Sequence, residues 1–362
     1  MTASKSSRIL APILTLDHPS LPTQRLSLPR IHTHRVRYCR QRSKLSRAVC
    51  LGYRVRVMKV GVNLINFGPG VTPESLARSA ELAESLGYHL VMISDHVAIT
   101  PDVQALYPAP FYDPFITLGW LAALTRRVEL GTTVIILPYR HPLQTARMAA
   151  NLDRLSGGRL ILGIGAGWAK QEFEALRVDF QQRGAITNDY LAAIKIAWTH
   201  DVASYAGRFV SFTDVRTAPR PVRAPHPPIW VGGASDAALR RAVVHGDGWH
   251  PIRFRIDWLK DKGLPRLREI AEAEQKPTPA LCPRVRLRLT SSPVAEDRRA
   301  VGEGTLDQVR ADLEALQALG ARYVLLDTYA DDPEATRRPE TGWEMLTTLA
   351  ERVLDLPRES LR

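Results

Sequence analysis

From residue 58 onward, short apolar runs rich in β-branched residues alternate with amphipathic stretches, and this alternation restricts the fold more than any other feature. The runs fall at 59–65, 90–94, 129–137, 159–165, 229–232, 248–251, 284–290 and 322–327. Several, such as Leu90-Val91-Met92-Ile93, are apolar at every position rather than at every second one. Strands of that kind are buried on both faces, as in parallel sheets covered by helices. In "TPESLARSAELAESLG", Thr72 suits a cap, Pro73 the first helical position and Glu74 the positive end of a helix. Leu76, Ala80, Ala83 and Leu86 form one face at helical spacing, and Gly87 ends it. Comparable helices are expected near 114–126, 142–155, 185–199, 234–245, 256–274, 305–319 and 341–355. Eight strands and about eight helices over 58–362 fit a (β/α)8 TIM barrel, with a doubly wound sheet as the rival. Two long connections, 96–113 and 200–227, are rich in proline and aromatics and read as lids or binding loops.

The formal net charge of +12 suggests a nucleic-acid binder until the charge is located. Residues 1–57 hold twelve Lys and Arg against one acid, Asp17, which leaves 37 basic and 36 acidic residues in the remainder. The body is thus near neutral, and its overall charge says little about its partners. The leading segment lacks any sustained period of 2 or 3.6. The plainest reading is that translation starts at Met58 and that 1–57 is a disordered basic extension from an early gene start. A transit peptide and a nucleic-acid-binding arm are the alternatives. The arm ranks last, because no folded motif or interleaved aromatics accompany the charge. Cys39, Cys50 and Cys282 form no paired framework or metal spacing, which points to a reducing, cytoplasmic setting. No apolar run is long enough for a membrane helix.

In a barrel, residues at the C-terminal strand ends face the active site. Four ends stand out. "ISDHV" closes the second strand with Asp95 and His96. A histidine there can move a proton near neutral pH, and Asp95 can fix its tautomer or accept from a ligand. The plainer reading is a polar strand exit. "LGTTVIILPYRHP" places Thr132 and Thr133 inside a greasy strand, where a bulge would push backbone toward a flat ligand. "LILGIGAGW" alternates Gly163, Gly165 and Gly167, which clears one strand face for a ligand or another backbone. It is no dinucleotide fingerprint, because Trp168 breaks the G-x-G-x-x-G spacing. "PPIWVGGASDAALRRA" runs a strand into Gly232, Gly233, Ala234 and Ser235 and then a helix. Bare backbone N–H groups there make an anion seat, or Ser235 is simply a cap. No nucleophile elbow and no metal-ligand cluster is evident, so the candidate metal set is empty and a bound organic cofactor is the natural source of reactivity.

Together "SDHV", "GTTVIILPYRHP", "LDRLSGGRLILGIGAGW", "EF" at 172–173, "PPIWVGGAS" and "GDGW" resemble the luciferase-like (LLM class) superfamily of flavin- and deazaflavin-dependent oxidoreductases over 58–355, and most closely its F420-dependent branch. The resemblance implies a (β/α)8 barrel with an insertion, a homodimer and coenzyme F420. It implies hydride transfer between the deazaflavin and a small organic substrate, with FMN-dependent oxygenation of the alkanesulfonate or alkanal monooxygenase kind as the alternative. A non-catalytic cofactor-binding protein is the remote third reading. The resemblance makes His96 the catalytic proton donor or acceptor beside the ring and Asp95 a ring contact. It puts a non-proline cis peptide near Thr133-Val134, and lines the ring or its tail with Ala166, Gly167 and Trp168. Gly232, Gly233 and Ala234 would hold the phosphate, with Ser235 beside it. Several relatives carry Thr and an acid where this chain has Ala166 and Trp168, which argues against a sugar-phosphate dehydrogenase. Loop 96–113 would close over the substrate, and Tyr107, Phe111, Tyr112 and Trp168 would give it an apolar wall.

Overall fold

The computed structural model describes residues 57–362, apart from 298 and 330. The expectations about residues 1–56, including the basic extension, Cys39 and Cys50, lie outside the described residues. Eight parallel strands among the described residues make the barrel: β1 (Lys59–Asn63), β2 (Leu90–Ile93), β3 (Glu129–Thr132), β4 (Leu160–Gly165), β5 (Ile229–Gly232), β6 (Gly248–His250), β7 and β8 (Tyr323–Asp327). Strand β7 is broken by Cys282 and Pro283 into Ala280–Leu281 and Arg284–Arg286. Each strand pairs with its sequence neighbours, and β1 pairs with β8. The broken strand closes the ring. Cys282 N–H donates to Trp249 O and Arg284 N–H to Pro251 O on one side, while Arg322 N–H donates to Leu281 O and Leu325 N–H to Pro283 O on the other.

The outer layer follows the expected helices: α1 (Pro73–Leu86), α2 (Pro114–Leu124), α3 (Pro142–Leu155), α4 (Arg183–Thr199), α5 (Asp236–His245), α6 (Leu264–Ala273), α7 (Leu306–Ala318) and α8 (Pro339–Arg352). The signals read from α1 operate as the chemistry requires. Thr72 and Ser75 form a capping box, and Gly87 takes the left-handed conformation at φ 93°. No helix among the described residues is long and apolar enough to cross a membrane.

The continuous apolar strands bury both faces because there are two cores. Val91 and Ile93 pack outward under the helices, while Leu90, Met92, Ile161, Trp230, Cys282, Tyr323 and Leu325 fill the barrel. Glycines make room for them. A Cβ at Gly131 would stand 2.7 Å from Met92, and one at Gly248 would stand 2.7 Å from the Trp230 ring.

Connection 200–227 differs from expectation. It forms an antiparallel hairpin, Ala203–Ala206 with Ser211–Val215, and no residue of it lines the cavity described below. The Asp189 carboxylate of α4 accepts from the Arg208, Phe209 and Val210 amides and from the Tyr205 hydroxyl, which anchors the hairpin away from the rim.

Candidate active site

A cavity of about 350 Å³ opens at the C-terminal rim. Asp95 and His96 reach it from β2, Thr133 and Val134 from the end of β3, and Ala166, Gly167 and Trp168 from β4. Gly232, Gly233 and Ser235 reach it from the β5–α5 turn. Ala234 stands in that turn but does not line the cavity. Of the aromatic wall, Tyr107 and Trp168 line it, whereas Phe111 packs behind against His96 and Phe67, with ring centres 5.5 and 5.3 Å apart. Tyr112 is absent from the lining, and its backbone is bonded to Asn66.

His96 is buried, and its Nδ1 bonds the Glu172 Oε2 at 2.6 Å. Asp95 therefore does not set its tautomer. Both Asp95 oxygens accept from Arg140, at 2.7 and 2.8 Å, and one also accepts from the Ile136 amide at 2.9 Å. Glu172 gathers more donors: the Val97 and Ala98 amides at 2.6 and 3.0 Å and the Tyr139 hydroxyl at 3.0 Å. Burial pushes the Glu172 carboxyl up, but the hydrogen bond and charge of His96 and the two amides outweigh it, so the group sits below its ordinary range. With Nδ1 committed, Nε2 is the His96 nitrogen left for chemistry.

The Thr133–Val134 peptide is cis, at the position the resemblance implied. Arg284 Nη1 donates to the Thr133 carbonyl at 3.0 Å and its hydroxyl at 3.2 Å. The hydroxyl donates in turn to His250 Nε2 at 2.9 Å, because His250 Nδ1 bonds the Cys282 carbonyl at 2.5 Å. Burial and the nearby Arg284 charge, against the Cys282 bond, pull the His250 imidazole down to about 4, so it is neutral and able to accept. Arg284 is also held by Asp327, which accepts from Asn63. One guanidinium thus ties the ends of β1, β3, β6, β7 and β8 into the cavity floor.

The lining next to the β5–α5 turn is cationic. Ser235 caps α5 by accepting from the Ala238 amide, and Arg183 and Arg241 line the cavity beside it. Arg241 is 5% exposed and bonds only neutral groups, Asn188 Oδ1 and the Gly184 carbonyl. Burial pulls its guanidinium down to about 10. A buried cation without a carboxylate partner is costly unless an anion arrives. The cap reading of Ser235 and the anion-seat reading of the turn are therefore compatible.

The glycine alternation in β4 serves neighbouring strands as well as a ligand. A Cβ at Gly163 would meet the Thr132 carbonyl at 1.9 Å, and one at Gly165 the Val134 side chain at 2.7 Å. Loop 96–113 is pinned rather than loose. Besides the amides on Glu172, Asp102 and Gln171 exchange two hydrogen bonds at 3.2 and 3.1 Å, and Tyr329 donates to the Leu106 carbonyl at 2.7 Å. The Gly68 amide donates to the Pro108 and Pro110 carbonyls at 2.9 Å.

Glu172, Arg140, Arg183, Arg241, His250 and Arg284 were assigned no role from sequence. "EF" and "PYRHP" carried Glu172 and Arg140 within the resemblance, and "GDGW" ends just before His250. Nothing local singles out Arg183, Arg241 or Arg284.

The family model described as luciferase-like monooxygenase matches residues 58–341. An uncharacterized protein of Mycobacterium tuberculosis is 32% identical over 246 residues, which is 61% of this chain and 86% of that protein. The crystal structure of a monooxygenase from Streptomyces bottropensis superposes with a TM-score of 0.66 at 27% identity, covering 81% of this chain and 98% of that one. An F420-dependent secondary alcohol dehydrogenase, solved with an F420–acetone adduct, superposes with a TM-score of 0.64 at 15% identity, covering 78% and 97%, a likeness of fold alone.

Proposed function

Because this chain belongs to the luciferase-like monooxygenase family, whose members are flavin- or deazaflavin-dependent enzymes, we propose that its rim cavity seats such a tricycle and that the physiological one is coenzyme F420. The observation that carries the seat is one cavity lined both by a buried, acid-free Arg241 and by His96, whose Nδ1 is held by Glu172 behind it. The residues fit the group. Gly232, Gly233 and Ser235 with Arg183 and Arg241 would take a phosphate, and Val134, Ala166, Gly167 and Trp168 would flank a ring. Ala234 would act only through the shape of the turn.

Bound there, the tricycle would supply or accept a hydride at a carbon of a small organic substrate. His96 handles the accompanying proton at Nε2, with Glu172 holding the imidazole in place and stabilising its charged form. Asp95 acts through Arg140 and the Ile136 amide to fix the strand exit. Arg284 and His250 hold the Thr133 carbonyl, and so the surface against which a ring lies. The preference for direct hydride transfer rests on the resemblance of the strand-end motifs to the F420-dependent branch. FMN-dependent oxygenation is the second reading, favoured by the likeness to the Streptomyces monooxygenase. Titrating the purified protein with F420 and with FMN tests both. Tighter binding of F420, with substrate-dependent change in its absorbance, is expected. Preference for FMN replaces F420, and binding of neither removes the seat.

The same reading includes a homodimer. Ile116, Trp120 and Leu124 recur every fourth residue on α2 and are 76%, 40% and 39% exposed. An exposed apolar stripe of this kind suits a symmetric helix–helix contact.

A further inference from the structure

A second cavity, of about 510 Å³, adjoins the first, and Tyr107, Ile252 and Arg284 line both. Five arginines and three aspartates line it. Two of the arginines are saturated: Arg284 is held by Asp327, and Arg299 by both oxygens of Asp312 at 2.6 and 2.9 Å. Arg286 is committed to Asp331. Arg253 and Arg255 differ. Arg253 has only a loose contact with Asp331, at 3.8 Å, and Arg255 pairs with its near neighbour Asp257 at 3.2 Å, both arginine side chains being 61% exposed. Such exposed pairs exchange readily for a better partner. Between the cations the wall is apolar, with Ile252, Phe254, Val285 and Val301.

We propose that this second cavity binds the substrate and that the substrate is an organic acid, a carboxylate or sulfonate with a short apolar body. This rests on the tricycle reading above, because that cofactor occupies the first cavity. Its phosphate would satisfy Arg183 and Arg241, leaving the loosely paired Arg253 and Arg255 of the second cavity for a different anion. Arg253 and Arg255 grip the oxyanion, the apolar wall takes the body, and the reacting carbon lies toward Tyr107, whose ring stacks on His96 at 5.6 Å. A planar guanidinium matches either headgroup through paired hydrogen bonds.

Calorimetric titration with octanoate, octane-1-sulfonate and octan-1-ol tests the proposal, on the protein alone and on the protein loaded with whichever tricycle binds. The acids should bind about tenfold or more tighter than the alcohol in both states. The double variant Arg253→Gln/Arg255→Gln should abolish most of that preference with unchanged tricycle affinity and circular dichroism. The two acids tell carboxylate from sulfonate selectivity. Equal affinity for acids and alcohol overturns the proposal, as does an acid preference that survives in the tricycle-loaded double variant, where the phosphate occupies Arg183 and Arg241. So does an acid preference abolished by loading with F420, which would assign the arginines to that cofactor's own acidic tail. Failure of both tricycles to bind overturns the cofactor reading separately, because the acid preference is also read without them.

Discussion

Glu172 lies 76 residues from His96 in sequence and 2.6 Å away in space, and the proton chemistry assigned to the pair depends on that contact. Replacing His96 with alanine should lower kcat by about 10²- to 10⁴-fold, the usual worth of a positioned acid–base group, with tricycle affinity kept. Glu172→Gln keeps the acceptor for the Val97 and Ala98 amides but removes the charge. It should lower kcat by about 10- to 100-fold with tricycle affinity and circular dichroism unchanged. An unchanged kcat would make Glu172 a mere brace for the loop. His96 was legible in sequence because a polar pair ending a four-residue apolar run is conspicuous. Its partner was not, because an acid on a short amphipathic stretch looks like any solvated acid until the chain folds. Arg241 hid in the same way, as one of two adjacent arginines in an ordinary helix, and only burial beside Asn188 reveals it.

The elements were legible where local chemistry and tertiary packing agree. Thr72, Asp113, Ser235 and Thr305 cap their helices with side-chain oxygens, and those ends fall within a few residues of expectation. Strand β7 was read as 284–290, but its ladder begins at Ala280 and breaks at Pro283, which lacks the N–H a ladder needs. The hairpin within 200–227 depends on Asp189 in the preceding helix, a contact no local pattern announces. At this scale the α2 stripe makes a measurable claim. Ile116→Asp should raise the dimer dissociation constant by tenfold or more, since burying an isoleucine is worth about 1.5–3 kcal/mol. Sedimentation of wild type as a monomer at micromolar concentration would remove the interface.

For the molecule as a whole, the barrel was readable because a run of strands buried on both faces, each followed by a helix, has few other ways to close. The charge pattern of its rim was not readable, since arginines on six different segments converge there only after closure. One half-buried histidine, His245, and one fully buried, His250, tie stability to pH. Burial with the charges of Lys195, Lys276 and Arg241 takes His245 down to about 4, and burial with the Arg284 charge takes His250 there too. The unfolded chain protonates both near 6.5. The folded state binds fewer protons, so stability is full above pH 6.5 and falls as pH drops toward 4. Urea midpoints at pH 7.5, 6 and 5 should decline, and His245→Gln should flatten the decline. A flat profile would mean that both imidazoles reach water. The pinned loop 96–113 bears on traffic through the enzyme. Anchored to Glu172, Gln171, Tyr329 and Gly68, it is held in place, so if anions enter over the arginine-bearing rim at 252–255 their association rate should fall steeply as ionic strength rises, with no slow lid-opening phase in stopped-flow binding.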